Sequence, residues 1–370
     1  MTMLMSYPAS KQGPLATGER LHDLAFLDAG GQPFSLYNHR VYGWPKAIHV
    51  AASPEDALVE LERFASLSKE FGQTETHVLA ITRAPAEANL AVVERLKLPF
   101  PVLSDPEGAL HKAAGLDEPG AAVTLLLDPV LRLERKVTGA DGPSQAEAAL
   151  AHVRARAKVL RPSVVAAQAP VLVVPNVLDR DHCHRLMTFW EQGQKLDNTV
   201  ASSQERSNRA NPKTKIRADV IVPDDSPESK ELVDVMGRRL LPEVLKGFTF
   251  RVSRMEHFRV GCYDSTDGGH FAPHRDNRTP LTKHRRYALT LNLNTDEYEG
   301  GFLRFPEYGP QLYAPPAGGA VVFSCSLLHL ASPVTSGRRF VIVGFFWGEE
   351  EHKVYERAHA GLTFEESLSV

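Results

Sequence analysis

Cysteine is scarce in this chain: there are three in 370 residues, Cys183, Cys262 and Cys325, far apart and never in a CxxC pair. That argues against a disulfide framework and against a cysteine-built zinc site, and it fits a reducing compartment. Neither sign of charge prevails. The formal net charge is -3, so no global field favours nucleic acid or an anionic membrane. No apolar run approaches the roughly 18 residues of a membrane span. The opening MTMLMSYPASKQGP lacks the basic start and apolar core of an export signal. Internal repeats and low-complexity tracts are missing too. The expectation is a cytoplasmic protein that engages neither nucleic acid nor membrane.

The chain is long enough for two cores, given roughly 100–200 residues per domain. Composition shifts near the middle. PSQAEAALAHVRARAKV (143–159) reads as a helix, and LRPSVVAAQAPVLVVP after it has the proline spacing of a linker. The expected domains are 1–160 and 161–370.

In the first, apolar runs alternate with amphipathic stretches. KAIHVAA (46–52), HVLAITR (77–83) and VTLLLDP (123–129) read as strands, while 54–70, with Leu58, Leu61, Phe64 and Leu67 at helical spacing, and 85–96 read as helices. Such alternation predicts an α/β layer fold. The segments GERLHDLAFLDAGGQPFSLY, LPFPVLSDPEGALHKAAGL and VTLLLDPVLRLERKV resemble a peroxiredoxin of thioredoxin fold. The function does not follow. A peroxiredoxin needs a thiolate nucleophile just after its first core strand, where this chain reads AASPEDALVELE, and no cysteine precedes Cys183. The expectation is an inactive domain serving dimerisation, docking or shielding.

In the second, PVLVVPNVLDRDHCHRLMTFWEQ predicts a strand and a helix capped by Asp179 or Asp181. ASSQERSNRANPKTKIR (201–217) reads as a solvated polar loop, without the interleaved aromatics that stack on bases. Beyond about residue 215, TFRVSRMEHFRV, GHFAPHRD, RRYALTLNLN, FLRFPEY, GGAVVFSCS and RRFVIVGFFW read as short strands. Many such strands predict a double-sheet barrel or jelly roll, which gathers distant strands at its mouth.

His274-Arg275-Asp276 lies among them. On an extended strand, residues i and i+2 project to one face, so His274 and Asp276 form two neighbouring ligands. A third imidazole from a distant strand, His329, would complete the two-histidine, one-carboxylate set of non-haem Fe(II) oxygenases. Ten residues later Arg339 offers a fixed positive charge. Strand alternation turns only one of Arg338 and Arg339 inward and does not say which. His270 and His284 flank the triplet, His270 reading as a surface histidine; Cys262 and Cys325 read as small buried fillers and Trp347 as core.

Tyr263, His274, Asp276, LNLN (291–294), Gly300-Gly301, His329, Pro333-Val334, Gly337 and Arg339, in this order and spacing, resemble the prolyl 4-hydroxylase-like branch of the 2-oxoglutarate and Fe(II)-dependent dioxygenases over about 170–348. The resemblance implies a double-stranded β-helix with flanking helices, His274, Asp276 and His329 as iron ligands, and Arg339 paired with the distal carboxylate of 2-oxoglutarate. It implies Tyr263 on the same cosubstrate and ascorbate as an accessory reductant. The activity implied is O2-dependent hydroxylation of a C–H bond, of a prolyl residue in a protein or peptide or else of a free amino acid or small metabolite. Phe271 stands where many relatives carry tyrosine. Two other readings are a metal enzyme without 2-oxoglutarate, which leaves Arg339 without a purpose, and a non-catalytic metal-binding scaffold.

Overall fold

The computed structural model describes residues 2–7, 13–38, 41–116, 121–142, 144–197, 199–201, 208–210 and 214–360. The chain divides into two compact units, one of Lys11–Val164 and one of Met1–Ser10 with Val165–Val370. Residues 3–5, which the sequence placed in the first domain, thus fall in the second: Met3–Leu4 pairs antiparallel with Arg254–Met255, and the Met5 amide donates to Ser253.

In the 11–164 unit a mixed sheet is built around Lys46–Ala51, which runs parallel to His77–Thr82 and antiparallel to Val123–Leu127. Every residue of Lys46–Ala51 is buried. One face of the sheet is covered by Leu61, Phe64, Phe71 and Ala149, the other by Leu21, Phe26 and Leu110. This is a thioredoxin-type α/β layer fold. The single helix expected over 54–70 is two, Pro54–Ser66 and Ser68–Gln73, because Leu67 leaves helical geometry at φ -99°, ψ 6°. The segment after the central strand holds Ser53 and Asp56 in mutual embrace: the Ser53 hydroxyl donates to the Asp56 carboxylate (2.7 Å) and accepts from its amide (3.2 Å), capping the helix.

The other unit is a jelly roll with flanking helices. Its larger sheet runs Leu196–Asp197, Ala218–Ile221, Arg259–Asp264, Val334–Trp347, Tyr287–Asn292, Ala320–Ser324, Leu172–Val174; the smaller runs Lys215–Ile216, His270–His274, His329–Ala331, Leu303–Arg304, Leu312–Tyr313. Val334–Trp347 is the spine. Its alternate residues divide the unit: Phe340, Ile342 and Phe346 face a core with Leu186, Trp190, Leu232 and Met236 from the outer helices, while Arg339, Val343 and Phe345 line a cavity with residues of the smaller sheet.

Two readings of this half need correcting. Besides strands, the stretch beyond 215 contains the helices Pro227–Arg239 and Leu241–Phe248, and Glu349–His359 follows the last strand. Ser226 caps the first of these, with Pro227 at its first position, a helix-start signal within an otherwise strand-rich stretch. Of the expected solvated loop, 202–207 and 211–213 lie outside the described residues, but its end is not solvated. Lys215–Ile216 is a strand, and Lys215 and Arg217 are buried because one buried carboxylate, Asp219, takes both.

Candidate functional site

His274 ends its strand, and Asp276 stands beyond it in a turn rather than at the next same-face position of an extended strand. The two still converge, because the Asp276 amide donates to the Cys325 carbonyl (3.0 Å), which folds the turn inward. His329 opens the neighbouring strand and pairs directly with His274. One ligand atom from each of His274, Asp276 and His329 lies within 4.8 Å of the others.

Hydrogen bonds fix what those atoms offer. Nδ1 of His274 donates to the Ala272 carbonyl (2.8 Å) and Nδ1 of His329 to the Leu327 carbonyl (3.0 Å), which assigns the ring protons and leaves both Nε2 lone pairs free. These nitrogens point at opposite oxygens of Asp276, at 3.3 and 3.4 Å. The His274 Nε2 is buried with no hydrogen-bond partner among the described residues. Burial favours neutral His329 and lowers its pKa, although Asp276 opposes this. Burial alone would raise the pKa of Asp276, yet His329, His274 and Arg285 bring it down to about 2. Two lone pairs and a carboxylate converging without a proton between them fit a divalent cation with open positions.

Phe271 lies flat on the His274 ring (centroids 3.6 Å apart, planes at 17°), and Phe323 meets His329 edge-on at 4.7 Å. With Leu303, Ala331, Val343 and Phe345 they give the site apolar walls around about 460 Å³ of atom-free space, mouth included.

Arg339, 2 % exposed, lines the same cavity. It is the inward member of the arginine pair: Arg338 turns out to Glu191 (2.7 Å). Arg339 Nη2 donates to Asn292 Oδ1 (3.0 Å), its guanidinium lies 5.2 Å from the Tyr263 ring, and Nε is buried without a hydrogen-bond partner among the described residues. No carboxylate pairs with Arg339 among the described residues. A buried, unpaired guanidinium is costly unless a ligand anion meets it. Gly301 makes room for its stem: at φ +63°, a Cβ there would come within 2.8 Å of Arg339 Cδ.

Tyr263 is buried, and its hydroxyl accepts from Arg217 Nη1 (3.2 Å). Arg217 itself lines the cavity, held by Asp219 at 2.5 and 2.8 Å. Sequence reading missed it among polar neighbours, although Lys-x-Arg-x-Asp over 215–219 carries the alternation of a strand with one charged face. Asn292, which anchors Arg339, and Arg285, which donates to the Asp276 carbonyl at 3.5 Å, were missed as well. His270 stays outside the cluster, its Nδ1 on the Gly268 carbonyl. His284 is buried beside Glu256 (3.3 Å). Cys262, Cys325 and Trp347 are buried, and Asp179 rather than Asp181 caps its helix.

Residues 258–347 match the 2OG-Fe(II) oxygenase superfamily and residues 18–134 the AhpC/TSA family. A PKHD-type hydroxylase of Pseudomonas fluorescens is 27 % identical over 207 residues, 53 % of this chain and 84 % of its own length. One of Saccharophagus degradans is 28 % identical over 187 residues, 48 % and 77 % respectively. Among solved structures, a prolyl-4-hydroxylase of Pseudomonas putida covers 49 % of this chain and 94 % of its own at 19 % identity and TM-score 0.38. Peroxidoxin BcpB of Mycobacterium tuberculosis covers 38 % and 97 % at 23 % identity and TM-score 0.35. The chain therefore joins a peroxiredoxin-like domain to a 2-oxoglutarate- and Fe(II)-dependent oxygenase domain. In class the enzyme is a 2-oxoglutarate-dependent dioxygenase, similar to the PKHD-type hydroxylases. Among the described residues, no helix is long and apolar enough to cross a membrane.

Proposed function

We propose that His274, Asp276 and His329 hold Fe(II), that Arg339 and Tyr263 hold 2-oxoglutarate, and that the enzyme hydroxylates a prolyl residue of a protein or peptide. The observation that carries this reading is Arg339: a buried positive charge without a carboxylate partner among the described residues lines the cavity that holds the metal-type cluster. When bound, the iron with O2 and 2-oxoglutarate supplies an oxidant for an unactivated C–H bond, the cosubstrate leaving as succinate and CO2. The protein's own part is placement and exclusion. Arg339 fixes the far carboxylate through its planar fork, aimed by Asn292. Tyr263 stands beside it, its hydroxyl held by Arg217. Phe271, Leu303, Val343 and Phe345 keep water from the reacting centre. Prolyl substrates are favoured over free amino acids because the resemblance lies with the prolyl hydroxylase branch.

The peroxiredoxin-like domain, on this reading, is inactive as a peroxidase and serves as a docking or dimerisation module. Ser53, bonded to Asp56, caps a helix where a thiolate would stand.

The test is incubation of cell extract with the enzyme, Fe(II), 2-oxoglutarate and ascorbate as reductant, with mass spectrometry for peptides that gain one oxygen at proline. Succinate should form in step. Oxidation confined to free metabolites would replace the prolyl assignment, and succinate formation unchanged in both His274→Ala and Asp276→Ala would sink the iron site.

A further inference from the structure

Between the proposed ligands His274 and Asp276 sits Arg275, whose side chain turns to the surface while its neighbours turn in. It meets Glu307 with both ends of its fork, Nη2 to Oε1 at 2.6 Å and Nη1 to Oε2 at 3.1 Å, and it also bonds the Ser326 carbonyl. Glu307 Oε2 accepts a further bond from the Leu328 amide (2.9 Å), immediately before His329. Asn277 Nδ2 reaches Ser326 Oγ (2.8 Å), and the Asp276 amide reaches the Cys325 carbonyl. Three successive residues of the 275–277 turn are therefore laced to the 325–328 turn. Glu307 ties both together from a third segment, the turn Pro306–Tyr308.

From this we propose that Glu307, through Arg275 and Leu328, is a positioning residue for the metal centre: one carboxylate sets the distance between the segment bearing His274 and Asp276 and the segment bearing His329. It rests on the assignment of those three as iron ligands. The physical case is the mismatch between the strength of the pair and its position. Arg275 and Glu307 are a third exposed, and such a pair contributes little to global stability. Yet it spans the hinge across which a metal needs its donors held to about half an ångström. Partners that orient metal ligands typically change metal affinity by about 10–100-fold when removed. Losing Glu307 leaves Arg275 and the Leu328 amide without their shared acceptor, so the two turns keep only the bonds of Arg275, Asp276 and Asn277 to Ser326 and Cys325, and their spacing loosens while the sheets stay intact.

The experiment is an anaerobic Co(II) titration of the full-length protein, read by visible absorption, for wild type, Glu307→Ala, Glu307→Gln, Arg275→Ala and the Arg275→Ala/Glu307→Ala double variant, with Asp276→Ala as the control that removes a ligand. Glu307→Ala is expected to weaken Co(II) about 10-fold or more and to alter its absorption bands, with the melting temperature nearly unmoved. Glu307→Gln should recover part of the affinity. The double variant should be no worse than the weaker single one, because both residues belong to one device. Should Glu307→Ala misfold, Arg275→Ala, which leaves Glu307 bonded to Leu328, carries the same test. Wild-type binding with affinity and spectrum unchanged in Glu307→Ala and Arg275→Ala overturns the clamp alone. Absence of Co(II) bands in the wild type overturns the metal-site assignment, and the clamp with it.

Discussion

His274 and His329 face each other across one antiparallel register position, ring centroids 4.2 Å apart, each with Nδ1 tied to the carbonyl two residues before it. The pairing explains how two imidazoles far apart in sequence reach one point. Register sets their separation, and the local carbonyls set which nitrogen looks inward. Asp276 needs only a turn to complete the set.

Arg339→Ala is expected to raise the KM for 2-oxoglutarate on the order of 100-fold, as befits the loss of a buried charge from a carboxylate partner. Arg339→Lys should fall between, because an ammonium keeps the charge without the fork. Steady-state succinate assays over a range of 2-oxoglutarate distinguish the three, and equal KM values would remove Arg339 from the cosubstrate site.

Gly301→Ala places a methyl group where Arg339 Cδ passes, at a backbone conformation that alanine adopts poorly. The expected result is a higher KM for 2-oxoglutarate and a stability loss of about 1–3 kcal/mol. Urea unfolding beside the kinetic assay checks both.

Glu256 and Arg285 form a buried fork-to-carboxylate pair (2.6 and 2.8 Å), with Arg285 stacked 4.0 Å from the Phe345 ring that lines the cavity. Glu256→Ala removes that arginine's buried carboxylate and should cost about 3–5 kcal/mol, seen in denaturant unfolding. Burial opposes ionisation of Glu256, but Arg285 and His284 hold its pKa well below the ordinary 4.5. The folded state therefore binds that proton less readily than the unfolded chain. Its stabilisation is present above pH 4.5 and is lost as pH falls toward the folded value.

In the peroxiredoxin-like domain, burial pushes the His49 pKa down to about 4 from 6.5, with Glu60 and Gln145 opposing. The unfolded chain takes up the proton first, so stability is full above 6.5 and declines as pH falls toward 4, by about 3.5 kcal/mol at roughly 1.4 kcal/mol per pKa unit. His49→Phe should abolish that component of the acid sensitivity. Denaturation followed between pH 4 and 7 in both proteins decides the matter, and identical slopes would count against it.

The jelly roll and the peroxiredoxin-like layer were legible in the sequence because each rests on repeated local patterns: apolar runs, Gly and Pro punctuation, and helical spacing as in Leu61 and Phe64. The three clustered residues and Arg339 were legible as motif and order. What stayed hidden depends on pairing between distant segments. Lys215 and Arg217 look like solvent-facing charges until Asp219 is seen buried beneath them. Asn292 reads as one more strand residue until Arg339 leans on it. Arg338 and Arg339 are indistinguishable by alternation until the register with Tyr263 fixes which faces the cavity.

Arg339 also bears on folding. On the proposed assignment, a buried guanidinium with no carboxylate partner among the described residues leaves the ligand-free oxygenase domain less stable than its packing alone would allow, and a bound dicarboxylate would remove that handicap. The domain thereby carries its own indicator of occupancy: at 100 times Kd a ligand adds about 2.7 kcal/mol, a melting shift large enough to screen dicarboxylates without knowing the substrate.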